Sequence, residues 1–150
     1  SGLSVVRFSE SEARSAEGPW DVIVLDVFGM LERCYALASL AFIGASLVDI
    51  GGHNPLEASA YGTAIVMGPY DSTVREITAQ LEAEDAIIRI APGQDLSSLV
   101  ESVAVGDATL KARGIRGQAV WRANRGATER VVAALVEEHI LDVPGAAHVQ

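Results

Sequence analysis

The chain has 150 residues, 49% of them apolar and 21% charged, a length and balance suited to one domain with a sizeable core. Lys and Arg number 11 against 20 Asp and Glu, a net charge of −9 that excludes a broad nucleic-acid footprint or a polybasic membrane patch on this piece. The single cysteine, Cys34, excludes an internal disulfide and the usual zinc clusters, and the longest uncharged stretch, the 15 residues from Cys34 to Val48, is too short for a transmembrane helix of roughly 20 residues.

The start, Ser1-Gly2-Leu3, has no initiator Met and none of the order of a signal peptide, and reads as a piece of a longer protein or a trimmed form. Along the chain, short apolar runs alternate with helical patterns. Strands are expected at Ser4–Arg7, Val22–Leu25, Leu40–Ile43, Ala64–Met67 and Ala86–Ile90. Helices are expected at Gly29–Ala38, Pro55–Tyr61, Thr73–Glu84 and Leu96–Val103, with Thr73 and Glu76 spaced as a capping box. A polar helix from about Ala108 to Arg122 follows. Asn124-Arg125-Gly126 then breaks the chain before an amphipathic helix carrying Val131, Val132, Leu135, Val136 and Ile140. Residues 1–142 read as one domain and Val143–Gln150 as a frayed tail. The alternation predicts an α/β fold, a Rossmann-like parallel sheet with helices on both faces.

The stretch richest in chemistry is Gly51-Gly52-His53-Asn54-Pro55-Leu56-Glu57. Two glycines allow a tight turn, Asn54 is a good N-cap, and Pro55 suits a first helical turn. A strand, a glycine loop and a helix start in that order can build an anion site from backbone N–H groups. In so acidic a chain, which repels an anion at long range, such local groups would have to do the binding. The same residues also read as a plain capping box, Asn54 to Glu57. Three glycine loops, at Gly44, Gly51-Gly52 and Gly68, fall at the carboxyl ends of predicted strands, where open α/β sheets bind ligands.

Other constellations fit less well. Asp26 ends a strand as a phosphoacceptor aspartate would, but the only lysine, Lys111, lies in the polar helix rather than at a strand end. Gly44-Ala45-Ser46-Leu47-Val48 lacks the second glycine of a hydrolase nucleophile elbow.

The segments Leu40–Val48, Gly51–Glu57, Val66–Pro69, Arg75-Glu76-Ile77 and Ala123–Arg130, in this order, resemble the C-terminal half of the 3-deoxy-D-manno-octulosonic acid (Kdo) transferases. The likeness runs from about Val22 to Leu135, and Gly51–Glu57 is its most specific part. It implies the donor-binding half of a GT-B glycosyltransferase, with CMP-Kdo as donor and a lipid A precursor at the inner membrane as acceptor. Transfer would invert the sugar and need no cofactor or metal. Carried over position by position, Gly51, Gly52, His53 and Asn54 would surround the phosphate and nearby sugar atoms. Glu57 would accept from the ribose hydroxyls, and Ser46 and Gly68 would line the same crevice. The general base, the lipid acceptor and any membrane contact would belong to an N-terminal half outside these 150 residues. The full-length protein would then work on the cytoplasmic side of the bacterial inner membrane.

The chain departs from the family pattern at three loops. Gly-Asp-Thr-Met-Gly-Glu-Leu appears as Leu25-Asp26-Val27-Phe28-Gly29-Met30-Leu31, and Gly-Gly-Ser as Gly44-Ala45-Ser46. Gly-Pro-His-Thr-x-Asn appears as Gly68-Pro69-Tyr70-Asp71-Ser72-Thr73. A GT-B relative using a UDP-sugar, and a non-catalytic binding domain, remain the alternatives.

Overall fold

In the computed structural model of the chain, residues 2–11, 20–94, 96–126, 131 and 134–138 are described. Among the described residues the elements follow one another as β1 (Val5–Arg7), α1 (Phe8–Ser11), β2 (Val22–Val24), α2 (Leu31–Leu37), β3 (Leu40–Phe42), α3 (Leu56–Ser59), β4 (Ala64–Met67), α4 (Arg75–Ala83), β5 (Ile87–Arg89), α5 (Ser97–Ala104) and α6 (Ala108–Asn124). All strand pairs are parallel. They form two sheets, β1-β2 and β3-β4-β5, with Ala41 opposite Ile65 and Val66 opposite Ile88 in the larger one. The α/β class and all five strands thus stand as expected, and β4 has the expected bounds.

The core lies around the larger sheet. Strand β4 is buried at all four residues, so both its faces are covered, as parallel strands require. Ile65 and Met67 pack there with Ile43, Ala58, Leu81 and Val120, and Tyr35 and Val74 close the edges. Helix α6 is longer and more deeply packed than its polar composition suggests. It buries Leu110, Gly114, Gly117 and Val120, residues three and four apart along one stripe. A Cβ at Gly114 would stand 1.9 Å from the Gly62 carbonyl oxygen, so the helix reaches the chain after α3 only through a glycine. Asp107 caps it, its carboxylate accepting from the Thr109 N–H at 2.8 Å.

Two of the expected helix starts differ. Helix α3 runs only over Leu56–Ser59, because Pro55 precedes it and Gly62, at φ +72°, follows closely. The Thr73–Glu76 capping box does not form. Helix α4 begins at Arg75 after an uncapped Val74, because the Thr73 hydroxyl donates instead to the Gly51 and Gly52 carbonyls. Helix α1 was not anticipated. Asp26 holds it, accepting from the Ser9 N–H at 3.0 Å and the Ser9 hydroxyl at 2.7 Å. Val132, Ile140 and the 143–150 segment lie outside the described residues. Among the described residues no helix is long and apolar enough to cross a membrane.

Candidate functional site

The carboxyl ends of β3, β4 and β5 carry three loops, and hydrogen bonds stitch them together. The first stitch is Ser46. Its side chain is fully buried; the hydroxyl donates to the Ile43 carbonyl at 2.5 Å and accepts from the Gly68 N–H at 2.9 Å. The Ser46 carbonyl accepts from the Tyr70 N–H at 3.0 Å. Ser46 therefore joins two loops and presents no hydroxyl to the crevice. Gly68 is the counterpart: a Cβ there would lie 2.1 Å from the Ser46 carbonyl oxygen, so the loops touch only because it is glycine.

The second stitch joins Gly51-Gly52 to Thr73. Both glycines have positive φ, +104° and +74°. The Thr73 hydroxyl donates to the Gly51 carbonyl at 2.7 Å and the Gly52 carbonyl at 2.9 Å. A Cβ at Gly51 would meet the Thr73 methyl at 2.5 Å, and one at Gly52 the Tyr70 carbonyl at 3.0 Å. The glycines are thus required where the 70–73 loop crosses them.

The third stitch is Arg89, which sequence reasoning missed. From the end of β5 its guanidinium donates to the Gly68 carbonyl at 2.7 Å, pairs with Asp71, and pairs with Glu82 at 2.5 Å. Asp71 also accepts from the Thr78 hydroxyl at 2.8 Å. Burial pushes the Asp71 carboxyl up, but Arg89 and Thr78 outweigh it and hold the group below the usual aspartate range. A lone arginine in the apolar run Ala86-Ile-Ile-Arg-Ile90 was the available signal.

Two N–H groups expected in the backbone anion cradle point inward. The Gly52 N–H donates to the Ala45 carbonyl at 2.8 Å and the His53 N–H to the Gly44 carbonyl at 3.2 Å, so both are engaged within the protein. Helix α3, at four residues, also aligns few peptide dipoles. The capping reading is only half realised. The Leu56 N–H donates to Asn54 Oδ1 at 3.0 Å, while Glu57 stays exposed and makes no hydrogen bond or ion pair among the described residues.

What the loops do present is a row of exposed polar side chains, His53, Asn54 and Glu57. The negative charge of Glu57 is felt at Tyr35 of α2, whose phenol is raised above its ordinary value first by burial and then by Glu57. Asn54 and Glu57 of this row line two recesses that share Asn54 and Leu56. One, of about 560 Å³, is lined also by Ser72, Thr73, Arg75 and Glu76. The other, of about 260 Å³, is lined by Glu57, Trp121, Asn124 and Arg125, with the Arg125 guanidinium 4.9 Å from the centre of the Trp121 ring. Among the described residues no group of three or more His, Cys, Asp or Glu could hold a metal ion.

No family model matches the chain. Individual proteins do. A 3-deoxy-D-manno-octulosonic acid transferase from Aquifex aeolicus is 35% identical over 99 residues, which is 65% of this chain and 28% of that protein. The transferase of the same name from Haemophilus influenzae is 32% identical over 115 residues, 76% of this chain and 27% of that protein. The one from Bordetella pertussis is 29% identical over 135 residues, 89% of this chain and 31% of that protein. The chain therefore spans under a third of the length of these three relatives. Among solved structures, the C-terminal CMP-Kdo binding domain of WaaA from Acinetobacter baumannii superposes with a TM-score of 0.64 at 27% identity, covering 77% of this chain and 61% of that one. In sequence and in fold alike, the chain is a relative of the 3-deoxy-D-manno-octulosonic acid transferases and corresponds to the C-terminal domain of that family.

Proposed function

We propose that this chain is the donor-binding domain of a glycosyltransferase that transfers Kdo from CMP-Kdo to a lipid A precursor. The observation that carries the reading is the row His53, Asn54 and Glu57. The three side chains stand exposed at the strand ends, on loops locked by Ser46, Thr73 and Arg89, and Asn54 and Glu57 line two adjoining recesses. Such a row suits a ligand bearing both an anion and vicinal hydroxyls. Glu57 is the acceptor for ribose hydroxyls, a charge-assisted contact. His53 and Asn54 are the side-chain donors for the phosphate and nearby sugar atoms, with Arg75 supplying positive charge from the larger recess.

In this reading Gly51, Gly52, Ser46 and Gly68 serve by shape, holding the loops that carry the three side chains. Catalysis is electrostatic: donors fixed in advance meet the charge that grows on CMP as it leaves, and no metal or cofactor is required. The base that deprotonates the acceptor hydroxyl, the lipid acceptor and the membrane-facing surface belong to an N-terminal half. The full-length protein then works at the cytoplasmic face of the bacterial inner membrane, and the 150 residues alone do not transfer sugar, because positioning needs both walls of the cleft.

Calorimetric titration of CMP and UMP into the full-length protein tests the assignment. CMP binding that exceeds UMP binding and weakens in Glu57→Gln supports it. Preference for UMP moves the chain to a UDP-sugar relative, and binding of neither leaves a non-catalytic domain. The Val27-Phe28-Gly29-Met30 loop, with Phe28 exposed and with apolar Val27 and Met30 where the family pattern carries Thr and Glu, is the feature that favours testing UMP.

A further inference from the structure

Charge is sorted between the two recesses beside the Gly51–Glu57 loop. The smaller is lined by the Glu57 carboxylate, and its cation, Arg125, lies over the Trp121 ring. The larger, of about 560 Å³, falls in the usual range of small-ligand sites, about 300–1,000 Å³, and is lined by Arg75 of α4 with Asn54, Ser72 and Thr73. The two share Asn54 and Leu56, so one ligand can reach from one into the other.

Arg75 is the unusual member. The chain has 20 acidic residues against 11 Lys and Arg, so a cation ordinarily finds an acidic partner, as Arg89, Arg113 and Arg116 do. Arg75 makes no hydrogen bond or ion pair among the described residues. The local sequence explains why. Asp71, four residues earlier, is held by Arg89 and by the Thr78 hydroxyl. Three and four residues later on α4, where a helical partner would stand, are Thr78 and Ala79, neither of them acidic. Glu76 also lines the recess, but adjacent residues of a helix do not face each other, and it forms no pair with Arg75.

The neutral groups around Arg75 leave donors facing outward. The Thr73 hydroxyl is engaged by the Gly51 and Gly52 carbonyls. Asn54 Oδ1 accepts from the Leu56 N–H, which leaves the Asn54 amide N–H groups to donate. The Ser72 hydroxyl stands exposed on the loop that crosses Gly51.

We propose that Arg75, with the Ser72 hydroxyl and the Asn54 amide N–H, forms the subsite for the carboxylate of an acidic sugar on the donor. Given the donor-binding reading above, which this deepens, Arg75 becomes the residue that selects a sugar acid over a neutral hexose carried by the same nucleotide. A guanidinium meets a carboxylate through two parallel N–H bonds, which a neutral hydroxymethyl group cannot match. A net charge of −9 repels such a ligand at long range, so a local cation is needed to hold it. The same charges set the ligand's direction. Glu57 repels a carboxylate, so the ribose lies by Glu57 in the smaller recess and the sugar acid by Arg75 in the larger.

Calorimetric titration of the full-length protein with CMP and with CMP-Kdo tests the subsite. Arg75→Gln should weaken CMP-Kdo by about 10- to 150-fold, the range of hydrogen bonds to charged groups, and CMP by less than about twofold. Its urea midpoint should not move, since Arg75 has no partner to lose, and Arg75→Lys should restore part of the CMP-Kdo affinity. Equal losses for the two ligands would make Arg75 a phosphate contact and overturn the proposal; no loss for either would overturn it too. A second measurement needs no nucleotide. The methyl glycoside of Kdo should shift the NMR signal of the Arg75 Nε–H, and its methyl ester, which lacks the charge, should not. If CMP fails to bind while the acid alone moves that signal, the donor assignment falls and the carboxylate subsite stands. If acid and ester move it equally, or neither does, the subsite falls whatever CMP does.

Discussion

Ser46→Ala is the sharpest perturbation of the loop assembly. The side chain is fully buried, and its hydroxyl serves the Ile43 carbonyl at 2.5 Å and the Gly68 N–H at 2.9 Å. Alanine removes both partners at once and leaves a buried N–H and a carbonyl without one. An unsatisfied buried polar group costs about 1–3 kcal/mol, and the small methyl lets no water in, so a net loss of about 2–3 kcal/mol is expected. For a chain of this size that corresponds to a fall of about 4–12 °C in melting temperature. Urea denaturation is the assay: the midpoint should fall with the slope unchanged, since the surface exposed on unfolding stays the same. Nucleotide affinity should fall too, as the seam between the first two loops loosens. A loss of stability under about 0.5 kcal/mol, the range of an ordinary surface substitution, would refute the view that Ser46 is the seam of the site.

Three further outcomes follow from the same geometry. Glu57→Gln should change stability by less than about 0.5 kcal/mol, because the carboxylate has no hydrogen-bond or ion-pair partner among the described residues, yet weaken CMP by about 1.5–3 kcal/mol; unchanged affinity by calorimetry would remove Glu57 from the site. Ala45 sits at φ +60°, where alanine is strained by about 1–2 kcal/mol and glycine gives back about 0.4–1 through its freer unfolded chain, so Ala45→Gly should raise the urea midpoint by the equivalent of about 0.5–1 kcal/mol, and a lowered midpoint would contradict the strain. Asp71 has a depressed pKa in the folded protein, so its contribution is complete above the unfolded value near about 4 and is lost as pH falls through the lower folded value; urea midpoints of wild type and Asp71→Asn should converge as pH drops from 6 to 3, and parallel curves would count against the Asp71–Arg89 pairing.

Periodicity made the strands legible because their apolar runs are short and separated by turn residues. It placed α6 but not its packing, since a helix that packs through Gly114 and Gly117 shows no apolar stripe in its sequence. It also hid the split of the sheet, because strand order is a property of partners and not of any strand's own residues. At the site, the position of the Gly51–Glu57 loop was legible and the direction of its groups was not. A serine or a glycine N–H reads the same whether it faces a ligand or a neighbouring loop. Ser46, Gly52 and His53 show the inward answer for a hydroxyl and two N–H groups.

The 68–73 loop shows what this means for recognition. Where the family pattern carries His, Thr and Asn, this chain has Tyr70, Asp71 and Thr73. Asp71 is held by Arg89 and Thr78, and the Thr73 hydroxyl is held by the Gly51 and Gly52 carbonyls. Two of the three substituted positions thus bind the loop to its neighbours. A side chain already paired inside the protein gains little by turning to a ligand, since it must first leave an equivalent partner. Under the proposed assignment, the polar groups left for a donor include His53, the Asn54 side-chain amide N–H and Glu57, which the second loop holds outward, and Arg75. Any shift of donor preference away from the family pattern should therefore be traced to the 25–31 and 68–73 loops. Under the same assignment, ribose and phosphate recognition should remain with the Gly51–Glu57 segment.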